Sequence, residues 1–426
     1  MARLPRSIAG LLVVALAAVS CASRSVPPIG AGGTPFTLEA DERTLWAQAE
    51  HEEEKLLTRV TRYEDPLLEQ YLGRIAAKLG SVDVGSSGPV IRFVVLRDPT
   101  LNAFAMPDGR VFVHTGLLSR LENEAQLATI LGHELTHVYD RHAVAFTRDT
   151  DSTKALNRVR DMVSSYGPTP RANQVRKDDY VGAAVLSRTA NAILGLELKL
   201  AAIGSLDGYG RDLERAADER GLQQLVKAGY DPKESAKLFK MLRDEAGARG
   251  PLETFFFGNA AQLQERVDAA QQLLRKRYPE EAKRTDTVKN TEEFDLRMRT
   301  VVRENGEIDT LAGRFGLGRQ QLDRVLKATP DDPIAHLYYG DLHRLQSQRA
   351  KTTAERDAMA AKALESYEQS AVLDPSYPAP FRQLGLLYYQ QKDPARAKAA
   401  FGKYLALKPD APDARRVKEY LLELNR

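Results

Sequence analysis

Residues 127–138 form an apolar run with helical spacing that nevertheless holds two histidines and a glutamate, as His133-Glu134-Leu135-Thr136-His137. On a helix, residues four apart lie one above the other, so both imidazoles can reach one ion from the same face. Glu134 then projects beside that ion, where its carboxylate can take a proton from an attacking water. The competing reading is a helix with two surface histidines, because three fixed positions in five recur by chance in unrelated helices. Context separates the two. A zinc site for catalysis needs a third protein ligand and one open position. Glu214 meets that need, in Arg211-Asp212-Leu213-Glu214-Arg215-Ala216-Ala217-Asp218, where Glu214 and Asp218 again share a helical face. One carboxylate can bind the ion while the other holds a ligand imidazole from behind. A charged, solvated helix face accounts for the same segment, and with 28% charged residues in the chain the segment alone does not choose.

Further segments occur in a fixed order around these two. They are Asn102-Ala103-Phe104-Ala105-Met106-Pro107-Asp108-Gly109, Val111-Phe112-Val113-His114-Thr115-Gly116-Leu117-Leu118, Glu124-Ala125-Gln126-Leu127 and Arg141-His142. Tyr209-Gly210, Gly221 and Ala228-Gly229-Tyr230-Asp231-Pro232 complete the order. Residues 39–275 thereby resemble gluzincin metallopeptidases of the CAAX-prenyl-endopeptidase and Oma type, in particular their soluble periplasmic lipoprotein members. The resemblance implies one zinc ion per chain held by His133, His137 and Glu214, with Glu134 as general base and Asp218 supporting a ligand histidine. It also implies polypeptide substrates. Relatives often carry a Ser-His-Pro step before a helix bearing an arginine. Here Gly258-Asn259-Ala260 precedes Arg266, so this chain offers no such histidine.

The N-terminus reads as a bacterial export signal over residues 1–20. Arg3 and Arg6 precede an apolar run from Ile8 to Val19 that is too short to span a bilayer. Cys21, the sole cysteine, falls where a lipoprotein signal places its lipidated residue, although Ala18 stands where leucine is commoner. The expectation is a periplasmic protein tethered to a membrane, the outer one favoured. An ordinary cleaved signal with an incidental cysteine is the alternative. A single cysteine excludes a disulfide framework, so the fold must rest on its core. Sixty-one basic residues against 58 acidic ones leave no electrostatic footprint of nucleic-acid binding. Residues 181–206 are rich in Ala, Leu and Gly, but Arg188, Glu197 and Lys199 interrupt them and argue for a buried or amphipathic helix over a membrane span.

Residues 21–38 suit a flexible tether. Helical patterns follow over residues 38–61 and 66–79, with His51 solvated among glutamates. Residues 90–96, 101–105 and 111–113 predict a small antiparallel sheet, with a turn at Pro107-Asp108-Gly109 and residues 110–115 as the edge strand able to receive a substrate strand. A plain core strand is the equal alternative for residues 110–115. The polar insertion 147–180 reads either as a cover over the cleft or as an idle surface segment.

Downstream, Ala363, Tyr367, Leu373 and Pro375 recur 34 residues later as Ala397, Phe401, Leu407 and Pro409, the tetratricopeptide period. The chain therefore divides into a peptidase domain at 39–285, a helical connector at 286–330 and repeats with a cap helix at 331–426. The expected class is α+β and mainly helical, a zincin-like catalytic domain followed by an α-helical repeat domain. Arg211, Arg266 and His114 are further candidates for oxyanion or substrate contacts. His142, five residues past His137, is off the ligand face and fits a supporting role. The functional expectation is a zinc endopeptidase of the cell envelope acting on misfolded or unassembled proteins. The competing one is a repeat-based adaptor or chaperone, with an envelope-assembly protein bound by the repeats and a latent or structural zinc.

Overall fold

A computed structural model describes residues 26–31, 36–80, 88–148, 157, 209–246 and 258–425. The export signal, Cys21, half of the 21–38 segment, nearly all of the 147–180 insertion and residues 181–206 lie outside them. Helices α1 (Ala40–Arg59) and α2 (Pro66–Gly80) precede strands β1 (Arg92–Leu96), β2 (Ala103–Ala105) and β3 (Arg110–His114). After the short α3 (Thr115–Arg120) come α4 (Glu124–Tyr139), α5 (His142–Arg148), α6 (Arg211–Lys227), α7 (Lys233–Ala246) and α8 (Ala260–Lys276). The glutamate patch of α1 is only partly solvated: His51 is exposed, but Glu52 and Glu53 are buried.

The sheet differs from the antiparallel one expected. Its order is β1-β3-β2, and β1 runs parallel to β3, pairing Phe93 with Val111 and Leu96 with His114. Only β2 and β3 form an antiparallel hairpin, turned at Gly109 with φ +100°. The physical reason lies in β3 itself. Val111, Phe112 and Val113 are fully buried, and a strand apolar on both faces belongs in the middle of a covered sheet. Residues 110–115 are therefore not the edge. The outer side of β1 is closed by residues 61–63, where the Tyr63 amide donates to the Val95 carbonyl at 2.8 Å. Among the described residues, the free edge is that of β2.

Every residue of α4 is buried. Its start holds two sequestered carboxylates, both satisfied. Glu124 accepts from the hydroxyls of Tyr71 and Tyr230, each at 2.7 Å, and Glu234 accepts from the Asn123 and Gln126 amides at 2.8 and 3.1 Å. Such pairing offsets the desolvation that an unpartnered buried carboxylate would suffer. Where α4 crosses α6, Gly132 meets Gly221: a Cβ on Gly221 would stand 3.0 Å from the His133 nitrogen. Two side-chain-free positions let the ligand-bearing helices approach this closely, and that brings Glu214 within reach of the histidines.

Helices α9 (Glu292–Leu311) and α10 (Phe315–Ala328) share this core through Phe294, Met298, Val301, Val302, Leu322 and Val325. A fully buried Asp309 fixes them further. It accepts from Asn305 at 3.2 Å and Arg120 at 3.3 Å, and pairs with Arg314 and Gln321. Repeat helices α11 (Pro333–Arg349), α12 (Thr353–Leu373), α13 (Pro378–Gln390) and α14 (Pro394–Leu407) lead to the cap α15 (Ala414–Glu423). The 34-residue period is a packing period: Tyr367 lies on Gly340, and Phe401 on Gly385. Among the described residues no helix is long and apolar enough to cross a membrane.

Candidate metal centre

One nitrogen each from His133 and His137 and a carboxylate oxygen of Glu214 all lie within 4.8 Å of one another. His133 Nε2 stands 3.0 Å from His137 Nε2 and 3.3 Å from Glu214 Oε2, and His137 Nε2 stands 3.7 Å from Glu214 Oε1. Donors around a tetrahedral cation with bonds of about 2.0–2.1 Å are separated by roughly 3.3 Å, so the set fits such an ion. Two imidazole nitrogens facing each other at 3.0 Å need a proton or a cation between them.

The two histidines are backed differently. His133 Nδ1 lies 2.9 Å from Asp218 Oδ1, which assigns the ring proton to Nδ1 and leaves Nε2 for the ion. Arg266 grips the same carboxylate, with Nε 2.8 Å from Oδ2 and Nη2 2.5 Å from Oδ1, and its guanidinium lies 4.2 Å from the Phe239 ring centre. Burial alone would raise the Asp218 pKa, but Arg266 and His133 hold it at about 2. Burial likewise opposes protonation of His133, yet hydrogen bonds to Asp218 and Glu214 outweigh it and raise this imidazole to about 10 without metal. A cation must therefore displace a firmly held proton.

His137 stacks on Tyr209, with centroids 4.2 Å apart and planes 17° apart, and its Nδ1 lies 3.0 Å from His142 Nδ1. Burial keeps both rings neutral, pushing His137 well below its ordinary pKa and His142 to about 4. Glu134 is pushed up to about 7, chiefly by burial and also by Glu214, against the pull of His133, Arg266 and the Ala105 amide that hydrogen-bonds it. That amide belongs to β2 and ties the sheet's free edge to the base. Burial raises Glu214 as well.

Of the other candidates, Arg211 and Arg266 line the cavity beside His133 and Glu214, and His114 does not. Arg211 is largely exposed, 3.9 Å from Glu265, and does not join the ligand cluster. Arg266 is committed to Asp218. His114 is buried at the end of β3, 2.9 Å from Thr100 Oγ1 and 3.4 Å from Asp98, and so belongs to the turn ahead of β2. Cys21 lies outside the described residues. Asn259 caps α8 by accepting from the amides of Ala261 and Gln262. Sequence reasoning missed the parts played by Tyr209, Phe239 and the Ala105 amide. Tyr209-Gly210 directly before a ligand helix was the one available signal. A cavity of about 760 Å³ opens beside His133 and Glu214, with Leu222, Phe239, Leu273 and Arg266 in its walls.

A helix carrying two imidazoles and a base, completed by a carboxylate from a second helix, defines the gluzincin class of metallopeptidase domains. The profile of Peptidase family M48 matches residues 66–292, more than half of the sequence. The chain belongs to that family. A tetratricopeptide repeat profile matches residues 350–421. Among curated relatives, the β-barrel assembly-enhancing protease of Escherichia coli K12 is 28% identical over 191 residues, 43% of this chain and 34% of its own length. That of Yersinia pestis is 28% identical over 183 residues, with the same coverage. The mitochondrial metalloendopeptidase OMA1 of Schizosaccharomyces pombe is 28% identical over 190 residues, 43% of this chain and 47% of its own length. The match thus spans about a third of the bacterial relatives and about half of the yeast one.

Proposed function

We propose that this chain is a zinc-dependent endopeptidase of the bacterial cell envelope that cleaves misfolded or unassembled polypeptides. The observation that carries the reading is Glu134 buried beside the three converging ligand atoms, next to the free edge of β2. Zinc held by His133, His137 and Glu214 would polarise the scissile carbonyl and acidify an attacking water. The β2 edge offers main-chain donors and acceptors to an extended segment, a mode of binding that reads backbone and tolerates many sequences. Glu134 takes a proton as the water oxygen bonds to the carbonyl carbon, then returns it to the leaving nitrogen as the C–N bond breaks. Asp218, clamped by Arg266, holds His133 in the tautomer this requires.

The envelope location rests on the N-terminal signal pattern and on Cys21, read as a lipid anchor on the periplasmic side, with the outer membrane favoured. Bacterial relatives bear the name β-barrel assembly-enhancing protease, and the repeats are read as the surface that holds an envelope-assembly protein. A zinc with only a structural duty would have no use for Glu134 and would take four protein ligands. Zinc-loaded protein is expected to cleave an unfolded casein, to lose that activity to a chelator and to regain it with zinc; inertness toward unfolded chains would overturn the reading. Cys21→Ser is expected to move the protein from the membrane pellet to the soluble periplasmic extract, and a variant that still pellets would exclude the anchor.

A further inference from the structure

His142 is the first residue of α5, and a single left-handed residue brings it back onto His137. Arg141 has φ 56°. A non-glycine residue held there is strained and persists only where its surroundings enforce it. They do so here. The Arg141 guanidinium donates to Glu42 at 3.0 and 2.6 Å and to Glu39 at 3.2 Å, and it lies 5.5 Å from the Phe36 ring centre. The consequence of this pinned turn is the contact between His142 Nδ1 and His137 Nδ1 at 3.0 Å, in a pocket that leaves His142 only 4% exposed.

Two imidazole nitrogens at that distance share one proton, and its side decides what His137 presents on the opposite edge of its ring. With the proton on His142, the His137 Nε2 carries hydrogen and turns a donor toward His133. With the proton on His137 Nδ1, Nε2 presents a lone pair to the ligand cluster. We propose that His142 is a positioning residue for the cation, its Nδ1 accepting the His137 Nδ1 proton and so fixing the lone pair at Nε2. Tyr209, stacked on the His137 face, holds the ring plane while His142 sets its tautomer. The two ligand imidazoles then have unequal support. A carboxylate in an ion pair stands behind His133, and a neutral ring stands behind His137, so that no fourth acidic side chain is added to a site that already holds Glu134, Glu214 and Asp218.

This inference rests on the cation site of the proposed function, and its test reads binding, not hydrolysis. Zinc affinity is measured by competition with a chelating indicator, and ligand geometry by the visible absorption of the cobalt-loaded full chain. His142→Leu removes the acceptor and is expected to weaken zinc by about 10–100-fold and to alter the cobalt spectrum. His142→Asn places an amide oxygen where Nδ1 stood and is expected to stay within about threefold of the parent, with the parent spectrum. Near-ultraviolet circular dichroism of the metal-free proteins checks the fold. His142→Ser, which also lacks an acceptor at that point, takes the place of the Leu chain if that chain does not fold. Parent-like affinity and spectrum in the acceptor-less variant would overturn the proposal, as would an Asn variant as impaired as the Leu one. A parent protein that binds zinc tightly but cleaves no peptide would sink the peptidase reading and leave this one standing.

Discussion

Glu134→Gln is expected to keep the cation at parental affinity and to lower kcat by about 10²–10⁴-fold, the range set by removal of a general base. The substitution is nearly isosteric, and Glu134 lies outside the ligand cluster, so nothing that binds the ion is altered. What disappears is the proton acceptor. The amide cannot take up the water proton and cannot return it to the leaving nitrogen, so both halves of the reaction suffer. The Ala105 amide now hydrogen-bonds the Glu134 carboxylate and would meet the Gln carbonyl oxygen instead, which keeps β2 in register. Zinc content by elemental analysis and cleavage of unfolded casein, measured on one preparation, decide the matter. Undiminished turnover would remove Glu134 from the mechanism.

Glu214→Ala is expected to abolish tight zinc binding, a larger loss than the roughly 10–100-fold that follows when a backing residue is removed. Glu214 is the sole ligand contributed by α6, and its two oxygens face the two Nε2 atoms at 3.3 and 3.7 Å. The replacement leaves two imidazoles on one helix as the whole donor set. Its fold should survive, because Glu214 is only partly buried and the α4–α6 crossing depends on Gly132 and Gly221, two turns away. Dialysed protein assayed for zinc, with circular dichroism as the control, reads the outcome. A folded variant that retains stoichiometric zinc would mean that a different group completes the site.

How much of this was legible in the sequence depended on the reach of each interaction. The His133–His137 pair and the 34-residue period are local patterns, and each determines its own geometry: a helical face in one case, a glycine under an aromatic ring in the other. Pairing of Asp218 with a ligand histidine was also within reach, because Glu214 and Asp218 share a face of one helix. Strand order was not. The insertion of β3 between β1 and β2 depends on which strand has both faces covered, and that is settled by how α2 and α4 pack on the sheet, which no strand pattern states. Arg266 shows the same limit: an arginine on α8 looks equally suited to an oxyanion or to a carboxylate, and only the folded arrangement places Asp218 against it. Helices α9 and α10, read as a helical connector, also share the peptidase core, since their apolar stripes match a surface no local pattern describes.

That shared interior has a mechanical consequence. Domains joined by a thin, polar contact swing relative to one another, whereas an extensive apolar contact suppresses the swing. With Phe294, Met298 and Leu322 set in the same core as α4, and Asp309 pinned between both parts, α9 and α10 are fixed on the peptidase. The repeat helices that follow α10 therefore start from an anchored base and not from a loose tether.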